Sequence, residues 1–171
     1  MSLLLHALLM AVAMPNPTYA ANLPTVRAAI TLHLNAPAIR AFPMFDPVNE
    51  ARWSPDWKPT LLGDGKVTSG LIFMTGDDSR TTWLLDRYEP AAGVIRYVNF
   101  RTSMLTTIDI TVVPNGTAAS IATVTYTRTA LDEDGVNGVL AFATHFPTQG
   151  PHWENAINAA LGADRNPSEH S

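Results

Sequence analysis

The sequence predicts a single α+β domain, in which an antiparallel β-meander lies between short helices near the start and a helical region at the end. From Lys58 onward, segments rich in threonine, valine, isoleucine and aromatic residues alternate with turns containing glycine, asparagine or aspartate, a pattern typical of serial hairpins. After Asp132 the apolar residues take helical spacing, and Trp153, Ile157 and Leu161 fall on one helix face. Strands followed by a helix favour a sheet with one covered face.

Length and composition narrow the classes of function. The 171 residues have the size of one domain, because chains usually divide only beyond roughly 250 residues. Apolar residues make up 46% and charged residues 15%, below the ~25% of an average soluble protein, which excludes intrinsic disorder. A net charge of −4 without any lysine- or arginine-rich run disfavours nucleic-acid binding. The absence of cysteine excludes disulfides, thiolate metal sites and thiol catalysis.

Residues 1–20 are predicted to be a signal peptide, and residues 21–171 the mature domain. The first segment has no charged side chain and carries an almost unbroken apolar run from Leu3 to Met14. The run is too short for a membrane-spanning helix, which needs ~20 apolar residues. Thr18-Tyr19-Ala20 then offers a cleavage site for signal peptidase.

The usual positive charge near the start of a signal peptide is missing, which leaves two alternatives open. One is an uncleaved membrane tether, and the other is a translation start at Met10 or Met14. A cleaved signal predicts a periplasmic or secreted protein without stable membrane insertion, whereas a mis-assigned start predicts a cytoplasmic one.

The first strand and two short helices are predicted next. Apolar and polar residues alternate with a period of two from Val26 to Leu34, as in a half-buried strand. Pro37 to Phe45 predicts a short helix, and Asp46-Pro47 is a good start for a second one that ends at about Trp53. The buried residues of the first helix are predicted to be Ile39, Phe42 and Met44.

Five further strands form the predicted meander, and Asn115-Gly116 is its strongest hairpin signal. The strand segments are Leu71–Thr75, Arg80–Tyr88, Val94–Arg101, Leu105–Val113 and Ala118–Thr129.

The C-terminal helical region is predicted to begin at the capping carboxylates of Asp132-Glu133-Asp134. Pro147 and Gly150-Pro151 are expected to interrupt it, because proline lacks the helical N–H donor. A disordered polar tail is expected from about residue 163. The apolar positions of the first helical part are predicted to be Val139, Leu140, Phe142, Ala143 and Phe146.

The order of elements and several motifs resemble those of the START/Bet v 1-like superfamily, and most of all its bacterial polyketide cyclase/dehydrase and lipid-transport branch. The resemblance covers about Thr25 to Leu161. The motifs that carry it are the segment from Trp53 to Pro59, Thr82–Pro90, Ile95–Tyr97, and Gly116-Thr117 with Val124–Ala130.

This resemblance implies a helix-grip fold, in which a curved antiparallel sheet of six or seven strands wraps around a C-terminal helix and leaves a cavity between them. The departure from the pattern is the interruption at Pro147 and Gly150-Pro151, where the superfamily has one long helix. The large residues on inward-facing positions are then candidate ligand-binding groups. They are Phe73, Trp83, Tyr97, Tyr126, Phe142 and Trp153, with Trp53 and Trp57 near the entrance.

The same aromatic residues could instead form an ordinary core. The free-energy cost of an empty cavity helps to distinguish the two alternatives. A void costs about 24 cal/mol per Å³, so a ligand-sized pocket of ~300 Å³ would cost on the order of 7 kcal/mol. Whole-domain stability is only about 5–15 kcal/mol. Such a pocket must therefore hold water or an apolar ligand, or collapse into core.

Few residues in this sequence are candidates for catalysis or for binding a metal or cofactor. Tyr97, Tyr126 and His145 are the candidate donors and bases for catalysis, and His145 and His152 could face the cavity mouth near Glu154. Their spacing matches no common zinc pattern, so we expect no metal site. No glycine-rich phosphate loop or dinucleotide fingerprint is present, so we expect no cofactor.

We predict structural rather than catalytic roles for the charged residues near these groups. Glu50 and Arg52 are predicted to form a local ion pair that positions the segment from Trp53 to Trp57, with a substrate-orienting role as the alternative. The strand residues Arg96, Arg101 and Arg128 are predicted to face solvent, and so is His33 on the first strand.

Three functions remain open. The first is binding or carriage of a hydrophobic small molecule, lipid-like or polyketide-like, without covalent chemistry, by a monomer or weak dimer. The second is an aromatase/cyclase-type enzyme, which the family resemblance implies as an alternative. The third is a protein-interaction module, which would need an exposed apolar patch on the outer face of the sheet.

Overall fold

A computed structural model describes residues 22–76 and 81–164, in which one antiparallel sheet covers a layer of helices. The predicted signal peptide and the end of the predicted tail lie outside these residues. The strands of the described part are β1 (Thr25–Leu34), β2 (Thr60–Leu61), β3 (Leu71–Thr75), β4 (Thr81–Glu89), β5 (Val94–Arg101), β6 (Met104–Asn115) and β7 (Ala119–Ala130). They lie in the order β1-β7-β6-β5-β4-β3-β2, so the predicted meander is confirmed.

The helices occupy the two places that the sequence indicates. Helix α1 (Ala38–Ala41) continues into a 3-10 helix at Phe42–Phe45, and a second 3-10 helix follows at Asn49–Arg52. Helices α2 (Glu133–His145) and α3 (Gly150–Ala163) form the C-terminal region. The predicted interruption is confirmed, because a 3-10 turn at residues 146–149 separates α2 from α3.

Strand alternation places one set of side chains on the concave face of the sheet. Tyr126 on β7 pairs with Ile108 on β6, which in turn pairs with Tyr97 on β5. Paired residues point to the same face. Tyr97 and Ile108 are buried, and Tyr126 keeps a small exposed part. These strands therefore present an apolar wall toward the helices.

Helix α3 protects the edge strand β1 through two side chains on one helix face. Glu154 accepts a hydrogen bond from the His33 backbone N–H at 2.7 Å. Asn158, one turn later, accepts from the Asn35 N–H at 2.7 Å and donates to the His33 carbonyl at 2.9 Å. Edge strands otherwise expose unpaired backbone groups, so these bonds fix the helix against the sheet.

The predicted buried positions of the short helices are only partly correct. Phe42 and Met44 are buried, as predicted, but Ile39 is 85% exposed because the first helix is a single turn that turns this side chain away from the sheet. On α2, Val139 is buried, whereas Leu140 is 50% exposed, since the next residue lies about 100° further round the helix.

A β-bulge changes the face of strand β4 partway along its length. Thr81, Trp83 and Leu85 alternate onto the concave face, and the register then shifts between Leu85 and Arg87. After this extra residue Tyr88 pairs with Ile95 and returns to the concave face, where its ring lies 5.2 Å from that of Phe42. The bulge thereby joins the sheet to the first short helices.

Two glycines of α2 allow a matched test of how tightly this helix packs. A Cβ at Gly135 would lie 2.0 Å from the Ser103 carbonyl oxygen, whereas a Cβ at Gly138 would contact nothing. We expect Gly135→Ala to lower the free energy of unfolding by roughly 1–3 kcal/mol, because the backbone must move apart. Gly138→Ala should raise it by about 0.5–1 kcal/mol through helix propensity.

Chemical denaturation of both variants measures the difference. Equal stability of the two variants would contradict the close approach of α2 to the β5–β6 turn.

Candidate functional site

A small aromatic cavity lies between the concave face of the sheet and the helices. Its volume is about 30 Å³, and Ile108, Ile110 and Val124 form its base. Six of the eight predicted ligand-binding residues line it: Trp53, Trp57, Trp83, Tyr97, Tyr126 and Trp153.

The remaining two predicted residues lie behind or beside this lining. Phe73 is fully buried and stacks on Trp83, with ring centroids 5.7 Å apart and an angle of 5° between planes. Phe142 belongs to a second aromatic group with Phe146 and Tyr126, at 4.9 and 5.3 Å respectively. Neither ring lines the aromatic cavity, because another aromatic side chain lies in front of it.

Three side chains of the lining are held by the backbone of the turn at residues 44–47. The indole N–H of Trp53 donates to the Met44 carbonyl at 2.6 Å. Trp57 donates to the Pro47 carbonyl at 2.8 Å in the same way. The Tyr97 hydroxyl donates to the Phe45 carbonyl at 2.8 Å.

The volume of the cavity is consistent with a stable unliganded protein. At about 24 cal/mol per Å³, 30 Å³ of empty space costs only about 0.7 kcal/mol. The tryptophan rings fill most of the space that a ligand-sized pocket would leave open. This volume holds a water molecule or two, so a larger guest must displace some of these rings.

Glu50 is the one charged side chain that lines the aromatic cavity within the described residues, and the sequence analysis gave it another role. It is half-buried, and no described residue forms a hydrogen bond or ion pair with its carboxyl group. Burial raises the pKa of Glu50 to about 8, and the nearby charge of Asp46 adds to the effect. Glu50 is therefore protonated at neutral pH and can donate a proton or hydrogen bond into the cavity.

The predicted Glu50–Arg52 ion pair is wrong. Arg52 instead pairs with Asp164 just beyond α3, at 2.5 Å, because the short 3-10 helix directs the two side chains to different sides. The inward placement of Glu50 depends on hydrogen bonds made by Asp46. The Asp46 carboxylate accepts from the backbone N–H groups of Val48 and Asn49, at 2.9 and 2.7 Å, and so begins the turn that carries Glu50 inward.

Two of the three predicted catalytic residues, Tyr97 and Tyr126, line the aromatic cavity, whereas His145 does not. His145 is exposed at the end of α2, where its ring is 2.7 Å from the Ala141 carbonyl, and His152 is exposed on α3. Glu154 is engaged with β1. Tyr97 and Tyr126 do line the cavity, and burial raises the pKa of both hydroxyls well above the usual range. Both tyrosines are therefore neutral hydrogen-bonding groups.

A second, polar chamber of about 110 Å³ adjoins the aromatic cavity, and Trp83 and Tyr126 line both. The polar chamber is further lined by Thr81, Asn99, Arg101, Met104, Thr106 and Arg128. Arg101 is exposed at the end of β5, as predicted, although it borders the polar chamber. The prediction that Arg128 faces solvent is wrong, because this residue is partly buried in the inward register of Tyr126. Arg96, in the opposite register, lies on the outer face and pairs with Asp109 at 2.6 Å, as alternation requires.

The guanidinium group of Arg128 is held against aromatic rings. Its central carbon lies 3.7 Å from the centroid of the Phe142 ring and 5.6 Å from that of Tyr126. Burial lowers the pKa of Arg128, and the positive charge of Arg101 also contributes to this shift. The two cations are thus close enough to repel each other.

The described residues contain no cluster of three or more potential metal ligands. None of the helices within residues 22–76 and 81–164 has the length and hydropathy needed to cross a membrane.

Comparison with known proteins identifies the fold. No protein-family model matches the sequence, and no curated protein matches it. Solved structures do match. A point mutant of norcoclaurine synthase from Thalictrum flavum, in complex with a transition-state analogue, superposes with a TM-score of 0.64 at 16% identity, over 85% of this chain and 99% of that one.

Two further solved structures are similar over most of their length. The Zhui aromatase/cyclase from Streptomyces sp. R1128 has a TM-score of 0.61 at 16% identity, covering 86% of this chain and 100% of that one. Ara h 8.0201 has a TM-score of 0.60 at 11% identity, covering 82% and 99%. The chain therefore shares the fold of these solved structures, which confirms the predicted helix-grip fold.

The raised pKa of Glu50 predicts a specific pH dependence of stability. The folded state holds this proton up to about pH 8, whereas the unfolded chain releases it near 4.5. Stability should therefore fall as the pH rises from about 4.5 to about 8, by on the order of a few kcal/mol, and then level off. Glu50→Gln should remove this part of the slope.

Urea denaturation across this pH range measures the effect. Glu133→Gln, which changes an exposed carboxylate on α2, is the matched control and should keep the slope. An unchanged slope in Glu50→Gln would contradict the buried position of this carboxyl group.

Proposed function

We propose that this protein binds a hydrophobic small molecule between the concave face of its sheet and helices α2 and α3. The observation that carries the proposal is the aromatic cavity, whose tryptophan and tyrosine lining surrounds a single unpaired carboxyl group. Ligand sites are typically apolar concavities with a few polar groups that orient the guest. The solved structures with the same fold include an aromatase/cyclase and a synthase in complex with a transition-state analogue.

The pocket enlarges on binding by movement of aromatic side chains. Trp53 and Trp57 are each held by a short hydrogen bond from the indole N–H, and Trp83 donates to the Thr75 hydroxyl at 2.9 Å. Trp153 on α3 has no such bond among the described residues. Apolar packing holds it in place, including ring contacts to Trp53 at 5.3 Å and Phe146 at 5.9 Å. Trp153 is therefore the side chain that moves aside most easily.

The proposed setting is the periplasm or the cell exterior. The support for it is the apolar segment at residues 1–20 and its small residues before position 21. A carrier for a poorly soluble molecule has a clear use in such an aqueous compartment.

Binding of the uncharged dye phenylnaphthylamine tests the proposal. We expect its fluorescence to rise on addition of the wild-type protein, with a dissociation constant in the range of about 1–100 μM, since a buried aromatic guest gains mainly from apolar contact. Ile108→Phe should weaken binding at least about tenfold, because the added ring occupies the base of the cavity.

The matched control is Ile72→Phe, the same substitution at a residue that is 45% exposed on the outer face of the sheet. It should bind the dye like the wild type. Absence of binding by the wild-type protein, or equal binding by both variants, would overturn the proposal.

A second candidate function is proton-transfer catalysis on the bound molecule, and Glu50 is the observation that favours it. A carboxyl group with a pKa of about 8 can exchange protons near neutral pH, as a general acid or base must. Tyr126 lines the same cavity and can orient a carbonyl oxygen. This assignment replaces His145, which lies on the surface.

Deuterium exchange at the acidic carbon of phenylacetone in D₂O, followed by NMR, tests the catalytic candidate. The wild-type protein should accelerate the exchange, and Glu50→Gln should reduce the acceleration by about 10²-fold or more, because general bases contribute rate factors of that size. Glu133→Gln is again the control. Exchange at the same rate with wild type and Glu50→Gln would exclude Glu50 as the base.

The outer face of the sheet bears on the third hypothesis, a protein-interaction module. Ile72, Phe100 and Val113 are 45%, 58% and 48% exposed there. Ile72 and Phe100 are separated from Val113 by the threonine-rich outer positions of β6, so the described residues do not show one continuous patch.

A further inference from the structure

The polar chamber contains two arginines without an acidic partner among the described residues. Every other arginine on the described strands β4 and β5 has one: Arg87 pairs with Glu89 at 2.8 Å, and Arg96 with Asp109 at 2.6 Å. Arg101 donates only to the Thr81 hydroxyl, at 3.2 Å. Arg128 forms no ion pair, although it lies deeper in the fold. The chamber thus concentrates uncompensated positive charge.

Arg128 also has an unsatisfied donor. Its Nε is buried without a hydrogen-bond partner, a condition that costs free energy unless a partner is present. The Phe142 ring covers the guanidinium plane at 3.7 Å, which fixes the plane and leaves the N–H groups at its edge for a ligand. Arginine recognises carboxylate, sulfonate and phosphate oxygens through this edge.

Further polar groups face the same chamber. Asn99 and Thr106 are 6% and 2% exposed, yet neither side chain forms a hydrogen bond within the part of the chain described. Both residues line the chamber. Their side chains border the open space of the chamber, where water or a ligand can supply hydrogen bonds. Together with Thr81 these groups can surround a small oxyanion.

The polar chamber lies next to the aromatic cavity. Trp83 and Tyr126 form the boundary and line both spaces. On its other side, Arg101 and Met104 also line an open groove of about 370 Å³ beside Gly135 and Gly138 of α2. A molecule in this groove contacts Arg101, and Arg128 and Trp83 line the chamber beyond it.

We propose that the ligand is an amphipathic anion, whose carboxylate, sulfonate or phosphate group binds Arg101 and Arg128 in the polar chamber while its apolar part occupies the aromatic cavity. This inference rests on the proposed function and specifies the class of ligand. The volume of about 110 Å³ accommodates one such group with a few water molecules. An anion between the two guanidinium groups would also relieve their mutual repulsion.

The carboxylates at the start of α2 do not neutralise the two arginines. Asp134 lines the open groove with Arg101, but the two side chains form no ion pair. Asp132, at the same helix start, accepts from the Ser103 hydroxyl at 2.8 Å and from the Gly135 N–H at 3.1 Å. Asp132 is thus occupied by the capping of α2, Asp134 forms no ion pair with Arg101, and the arginines remain available to an external anion.

A pair of dyes with one hydrocarbon skeleton tests the charge requirement. Anilinonaphthalene sulfonate carries a sulfonate group that phenylnaphthylamine lacks. We expect the wild-type protein to bind the sulfonate at least about tenfold more tightly, because charge-assisted hydrogen bonds contribute that much. Arg128→Gln and Arg101→Gln should each remove most of this preference and leave phenylnaphthylamine binding within about threefold of wild type.

Arg27→Gln is the matched control, since it removes the same charge from an exposed position on β1, outside both spaces. It should keep the preference for the sulfonate. Circular dichroism checks that each variant is folded. Because Arg101 is exposed at the end of β5, its variant provides the test if Arg128→Gln does not fold.

The outcomes separate this inference from the proposed function. Equal affinity of the wild type for the two dyes, or a sulfonate preference that persists in Arg101→Gln and in a folded Arg128→Gln, would overturn the anion site and leave apolar binding intact. Loss of both dyes in the arginine variants would assign them a structural role and also overturn it. Failure of the neutral dye to bind the wild type would overturn the proposed function itself.

Discussion

The turn at residues 44–47 determines the geometry of the whole site. Its carbonyl groups lie among apolar side chains, where an unpaired acceptor would be costly, and three aromatic donors satisfy them. Two of these donors are the indoles of Trp53 and Trp57, and the third is the hydroxyl of Tyr97 on the sheet. The same turn contains Asp46, whose capping bonds start the 3-10 helix that carries Glu50. One short segment thus places three rings and the one carboxyl group that lines the cavity in the described part of the chain.

The interior changes from apolar to cationic along the concave face. The middle of the sheet contributes Ile108, Ile110 and Val124, while one end contributes Arg101 and Arg128 in the same register. An empty apolar cavity of ligand size would use up much of the stability of a domain, and the tryptophans avoid this cost by filling it. The polar chamber can stay open at lower cost, because water satisfies its polar groups.

The sequence alone predicted the secondary-structure elements and most of the residues that line the aromatic cavity. The predictions were wrong where the direction of a side chain depends on distant contacts. Alternation alone carried enough information to place Arg101 and Arg128, since they share the parity of Tyr97 and Tyr126. Arg101 is exposed at its strand end, as the preference of arginine for solvent predicts, whereas Arg128 is partly buried against the Phe142 ring. The prediction that Ile39 is buried was wrong for a different reason. A single helical turn is too short for an apolar stripe to decide which side is buried.

Local sequence determined the antiparallel meander, the split between α2 and α3, and the tryptophans and tyrosines that line the concave face. Hydrophobic periodicity, turn residues and prolines are sufficient for this, because they act over a few neighbouring positions. Only the tertiary structure decided that Glu50 enters the cavity, that Tyr88 returns to the concave face after a bulge, and that the rings leave about 30 Å³ between them. These features depend on residues far apart in the chain, such as Phe45 with Tyr97 and Trp53 with Trp153. Their distances are set by packing across the whole domain, which no local pattern encodes.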